Sequence, residues 1–137
     1  MIHVVWGTKN RHPFLTKELR EKVITHIKEN ALVKQIYIDR LNGHTNHLHC
    51  LLGLNADTSI AKTLQLIKGE SAHWINQQKL TKSKFEWADE YYAISVSISN
   101  LNNVRTYIDH QEEHHKKTTF MQEYESYINE ISLKIHG

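Results

Sequence analysis

The chain has 137 residues, 39% of them hydrophobic and 23% charged, and a formal net charge of +2. That length suits one domain with a real core and is short for two, and no apolar run nears the roughly 20 residues that cross a bilayer. A single cysteine excludes a disulfide framework and, with no basic-then-apolar leader in view, gives the expectation of a cytoplasmic protein.

The small positive charge is compatible with a nucleic-acid partner without requiring one. Eleven histidines are the more informative bias, grouped at positions 44, 47 and 49 and again at 110, 114 and 115.

In chain order, Ile2, Val4 and Trp6 alternate with His3, Val5 and Gly7, which predicts a first strand over residues 2–8. Lys9-Asn10-Arg11-His12-Pro13 follows as a basic connection, either a solvated loop or a phosphate contact. Thr16 is placed to cap a helix over residues 17–30, with Glu18 in its first turn and Leu19, Val23, Ile24 and Ile27 at helical spacing. A second strand is predicted over residues 33–41, and Asn42-Gly43 reads as a turn. Asn46-His47-Leu48-His49-Cys50-Leu51-Leu52 then forms the third strand, paired with the second as an antiparallel hairpin.

Asp57-Thr58-Ser59 can cap a second helix, whose buried stripe is Ile60, Leu64, Ile67, Trp74 and Ile75. Residues 78–90 read as a loop with room for a short strand, and 91–98 alternate as a fourth strand. Ser99 or Asn100 caps a third helix through Leu101, Val104 and Ile108. A last helix is predicted from Thr119, where Gln122 completes a capping box and Tyr124, Ile128, Ile131 and Ile135 form the stripe. The order β-α-β-β-α-β followed by helices is the ferredoxin-like α+β arrangement: one domain over 1–137, an antiparallel sheet with helices on one face and C-terminal helices beyond it.

Strand geometry puts His47, His49 and Leu51 on one face of the sheet and Leu48, Cys50, Leu52 and Leu54 on the other. The first two helices cover the apolar face, so the histidine face is expected to be open to a ligand or a partner subunit. Two imidazoles so spaced can chelate a metal or grip a phosphate; they can equally be partly exposed strand histidines. Tyr107, Gln111 and His114 share one face of the third helix. Alone, a tyrosine beside an apolar stripe is ordinarily core packing.

Set together, the blocks Val4-Val5-Trp6-Gly7-Thr8-Lys9-Asn10-Arg11, Asn46 to Leu52, Leu66-Ile67-Lys68-Gly69-Glu70-Ser71-Ala72-His73-Trp74, Phe85-Glu86-Trp87, Ala93-Ile94-Ser95-Val96-Ser97 and Val104 to His115 resemble a known family. The chain is similar over nearly its whole length to the single-tyrosine HUH transposases, the TnpA type of single-stranded insertion sequences, and to the REP-associated tyrosine transposases. His-hydrophobic-His alone is a weak signal, whereas these blocks in this order and spacing are specific. The resemblance implies that His47 and His49 hold a divalent metal with Gln111 as third ligand, and that Tyr107 is the nucleophile. It implies a single-stranded DNA substrate carrying a hairpin, and a homodimer in which the tyrosine acts in trans.

The implied chemistry suits these residue types. Two imidazoles and an amide oxygen accept Mg²⁺ or Mn²⁺ and leave its charge available to an anionic phosphodiester. Tyrosine attack gives a 5′-phosphotyrosine that conserves the bond energy, so rejoining needs no nucleotide cofactor. Lys9, Arg11, Lys68 and Arg105 are candidate contacts to the DNA backbone. His110 and His114 are accessory proton carriers, DNA contacts or merely solvated helix histidines. Two other readings compete: a catalytically idle hairpin-binding relative, and a histidine-triad nucleotide hydrolase, against which Leu51 stands where the third histidine belongs.

Overall fold

Alternation along four segments builds the sheet. A computed structural model describes residues 1–111, comprising strand β1 (Ile2–Thr8), helix α1 (Lys17–Val33), strands β2 (Tyr37–His44) and β3 (His47–Gly53), helix α2 (Ile60–Gln77), strand β4 (Trp87–Ser95) and helix α3 (Leu101–Asp109). The helix predicted from Thr119 lies outside the described residues. The strands are antiparallel in the order β2-β3-β1-β4, which is the ferredoxin-like α+β fold. No helix among the described residues is long and apolar enough to cross a membrane.

The face carrying Val4, Trp6, Leu41, Leu48, Cys50 and Leu52 packs against Leu19, Val23 and Ile27 of α1 and Leu64, Ile67 and Ile75 of α2. Each such side chain contributes about 1.5–3 kcal/mol by leaving water. Thr16 and Ser59 cap the two helices as predicted, their hydroxyls accepting from the backbone N–H of Leu19 and Lys62. Across the helix pair, His26 Nε2 donates to both Glu70 carboxylate oxygens, at 2.8 and 2.9 Å, while its ring stacks on Trp74 at 3.9 Å.

Several boundaries differ from expectation, each for a local reason. Helix α1 runs to Val33, not to residue 30, and β2 begins at Tyr37 rather than 33. The stop is a Schellman-type turn in which the Ile36 N–H bonds to the Ala31 carbonyl at 2.8 Å and Gln35 takes a φ of 59°. No glycine marks the stop, so the sequence pattern does not announce it.

Asn42-Gly43 is no turn: both residues lie in β2, and the chain reverses at Thr45-Asn46, with His44 opposite His47. Glycine is needed at 43 because a Cβ there would fall on the His47 carbonyl oxygen and on Leu48.

Strand β4 starts at Trp87 and ends at Ser95, four residues earlier at its start than the alternation suggests. Trp87 pairs with Thr8 across an irregularity in β1, and its buried indole N–H donates to Ser71 Oγ at 2.9 Å. Ala88, Asp89 and Glu90 interrupt the apolar alternation and hide this start. Ile98, expected in the strand, instead opens a short 3-10 turn over Ile98–Asn100 and is exposed. That turn leads straight into α3, whose N-cap Asn100 makes no side-chain capping bond.

Candidate active site

The histidine face is not bare. Helix α3 crosses it over β2 and β3, correcting the expectation that this face lacks a helix of its own.

The docking is polar and specific. Pairing shifts by one between Ile38 and Arg40, so Asp39 is an extra residue in β2, and such a bulge re-aims side chains. Arg105 of α3 grips Asp39 with Nε on Oδ1 at 2.8 Å and Nη2 on Oδ2 at 2.9 Å, the bidentate geometry that suits guanidinium. Hydrogen bonding from Arg105 holds the Asp39 carboxyl below its ordinary range. Next along β2, Arg40 pairs with Asp109 at 3.3 Å. Asn42 then donates Nδ2 to the Ile108 and Asp109 carbonyls at 3.0 and 3.3 Å, satisfying acceptors that a helix end leaves open.

This brings the predicted residues together. His47, His49 and Gln111 are buried, as is Ile108 of α3. The His47 and His49 rings lie 5.1 Å apart between centroids. Tyr107 presents an edge-on contact to His49 at 5.5 Å and 78°. His47 Nδ1 donates to Asn46 Oδ1 at 2.9 Å; an amide oxygen only accepts, so neutral His47 keeps its lone pair on Nε2. Gln111 Nε2 donates to the Tyr107 carbonyl at 3.3 Å. Its Oε1 is buried with no hydrogen-bond partner among the described residues.

A partnerless buried carbonyl is costly, and a cation would satisfy it. No three His, Cys, Asp or Glu side chains converge on a metal-holding position among the described residues; the Gln111 amide oxygen is the further donor that stands with the two imidazoles. Two imidazoles and a carboxamide oxygen fit a divalent ion that keeps open positions.

The surrounding residues divide. Lys9 pairs with Glu86 at 2.7 Å, Lys68 donates to the Ala88 carbonyl at 2.6 Å, and Arg105 is taken up by Asp39. Burial pulls the Lys68 ammonium below its usual range, partly offset by Asp89 and Glu90. Arg11 lines a shallow depression with Gly7, Glu90 and Tyr92. Residues 9–11 abut the β2–β3 turn, since the Thr8 N–H bonds to the Asn46 carbonyl at 2.9 Å. His110 is exposed and ends α3, its Nδ1 bonded to the Thr106 carbonyl at 2.8 Å. His114 lies outside the described residues.

Sequence reasoning missed His3. It sits on β1, buried, with Nε2 3.0 Å from His49 Nδ1 and its ring 6.2 Å from Tyr107. In the sequence it is one more polar position of an alternating strand. Only the β1–β3 register, His3 opposite Leu51 and Val5 opposite His49, puts it on the site face. Leu51, where a histidine triad would need its third imidazole, is buried beside them.

The family described as "Transposase IS200 like" matches residues 1–111. No curated protein matches the chain in sequence at a significant level. Among solved structures, a candidate transposase of Deinococcus radiodurans R1 superposes with a TM-score of 0.64 at 23% identity, over 80% of this chain and 88% of that one. A REP-associated tyrosine transposase bound to a REP hairpin superposes with a TM-score of 0.59 at 14% identity, over 85% of this chain and 66% of that one. At those identities the likeness is one of fold.

Proposed function

The chain belongs to the IS200-like transposase family, and from that premise we propose that it cleaves and rejoins single-stranded DNA beside a hairpin, using Tyr107 as nucleophile. The observation that carries this reading is the meeting of Tyr107, His47, His49 and Gln111 on one sheet face, from segments some sixty residues apart in sequence, with the Gln111 oxygen buried and partnerless. His47 and His49 through ring nitrogens and Gln111 through Oε1 would hold the metal. When bound there, Mg²⁺ or Mn²⁺ supplies charge withdrawal at a non-bridging phosphate oxygen.

The remaining work falls to the chain. Tyr107 loses its phenolic proton to solvent, and its oxygen bonds to phosphorus while the bond to the 3′ oxygen breaks. The products are a 5′-phosphotyrosine and, after proton uptake, a free 3′-OH. A second 3′-OH reverses the step on another strand. Lys9 and Arg11 stand at the end of the sheet nearest His47 and would meet the DNA backbone, Lys9 by exchanging its exposed pair with Glu86 for a phosphate, whereas Lys68 and Arg105 are held by the Ala88 carbonyl and Asp39. Hairpin binding by this chain is supported by the hairpin in the second structural neighbour. Within one chain Tyr107 lies against His49, so attack in cis is one arrangement this geometry supports, and exchange of the tyrosine between the subunits of a homodimer is the other.

Tyr107→Phe is expected to retain hairpin binding and to form no covalent adduct with labelled single-stranded DNA on denaturing gels. An adduct of wild-type intensity would reassign the nucleophile. Absence of an adduct from the wild type, with Mn²⁺ supplied and hairpin binding intact, would favour the idle hairpin-binding reading.

A further inference from the structure

We propose that His3 is the positioning residue of this site: it accepts a hydrogen bond from His49 Nδ1–H, and so fixes the His49 lone pair on Nε2, while its ring edge seats Tyr107. This rests on the reading of His47, His49 and Gln111 as ligands of a divalent metal.

A buried imidazole must be paired, and His3 finds His49, 46 residues away, with its Nε2 3.0 Å from Nδ1. The rings are tilted by 33° with centroids 5.2 Å apart, so the contact is an approach of ring nitrogens and not a stack. Between two neutral imidazoles such a bond has two polarities. If His3 donates, the proton of His49 resides on Nε2 and that nitrogen is closed to a metal. If His49 donates, Nε2 carries the lone pair, and the proton of His3 resides on its Nδ1.

His47 shows which polarity the site is built for. Its Nδ1 is bonded to an oxygen that can only accept, Asn46 Oδ1, which commits its Nε2 to the lone pair. With His49 as donor, the two histidines have matching tautomers: Nδ1 held from behind, Nε2 turned to the ligand. Acceptors of this kind fix ring orientation and typically matter 10- to 100-fold in metal affinity. His3 also meets Tyr107 edge-on at 69°, close to the 78° that Tyr107 makes with His49. One side chain therefore touches both a ligand and the nucleophile.

The test measures Mn²⁺ binding by calorimetry in the full chain for wild type, His3→Leu, His3→Gln and His49→Ala. His3→Leu, which removes the acceptor at similar volume, is expected to weaken binding roughly 10- to 100-fold. His3→Gln, whose carbonyl can take the same bond, is expected to recover most of that loss, which a purely space-filling role would not produce. Wild-type affinity in His3→Leu, with binding abolished in His49→Ala, overturns the role of His3 and leaves the ligand set standing. Wild-type affinity in His49→Ala overturns the ligand set and the role of His3 with it. Independently of any variant, nitrogen NMR of the metal-free wild type should find the His49 proton on Nδ1; a proton on Nε2 overturns the proposal.

Discussion

Gln111 shows how a single side chain can work against the fold it belongs to. Its amide nitrogen has the Tyr107 carbonyl, but its Oε1 is buried without a partner among the described residues. Burying such an oxygen without a partner costs about 1–3 kcal/mol for a neutral group. Gln111→Leu is therefore expected to leave stability unchanged or to raise it by up to about that amount in urea unfolding, while metal-dependent adduct formation falls. A loss of more than about 1 kcal/mol on this substitution would make the amide a structural bond and remove it from the ligand set. Cys50 is the opposite case: burial pushes its thiol up to about 12, so the lone cysteine is an inert core residue.

Glycine separates the demands of strand and helix. At Gly43 the β2 backbone runs so close to β3 that a methyl group would meet the His47 carbonyl and Leu48. Gly43→Ala must push the strands apart beside a proposed ligand, and is expected to cost about 1–3 kcal/mol together with a loss of adduct formation. Gly69 in α2 is the matched control, since a Cβ there meets nothing within 4 Å. Gly69→Ala is expected to stabilise the helix by about 1 kcal/mol and to leave adduct formation intact. Equal effects of the two alanines in denaturant titrations would mean that close strand approach is not what position 43 requires.

For the molecule as a whole, the question is whether one chain makes a whole site. Arg105 on Asp39, Arg40 with Asp109, and Asn42 on the last carbonyls of α3 bind the tyrosine helix to its own sheet. A cis site predicts that mixing His49→Ala with Tyr107→Phe, with subunit exchange verified, gives no adduct, because every chain carries one defect. Recovery of up to roughly half of wild-type cleavage would instead demand the trans homodimer, in which one of two composite sites is intact.

Much of this molecule is legible along the chain. The order of elements, the two capped helices, the separation of His47 and His49 from Leu48 and Cys50, and the shared face of Tyr107 and Gln111 follow from periodicities of two and 3.6 residues, which any local stretch displays. Residue kinds in a fixed order likewise point to the family. Pairing across the sheet is a different matter, because it depends on which strands become neighbours. The β1–β3 register carries His3 to His49, the bulge at Asp39 aims the carboxylate that receives Arg105, and the close approach at Gly43 turns an apparent turn signal into a strand requirement. Lys68 and Arg105 read in sequence as bare cations, and only the fold shows that the Ala88 carbonyl and Asp39 engage them. A charge is visible in sequence; its partner, when it lies 20 or 66 residues away, is decided only by the folded sheet.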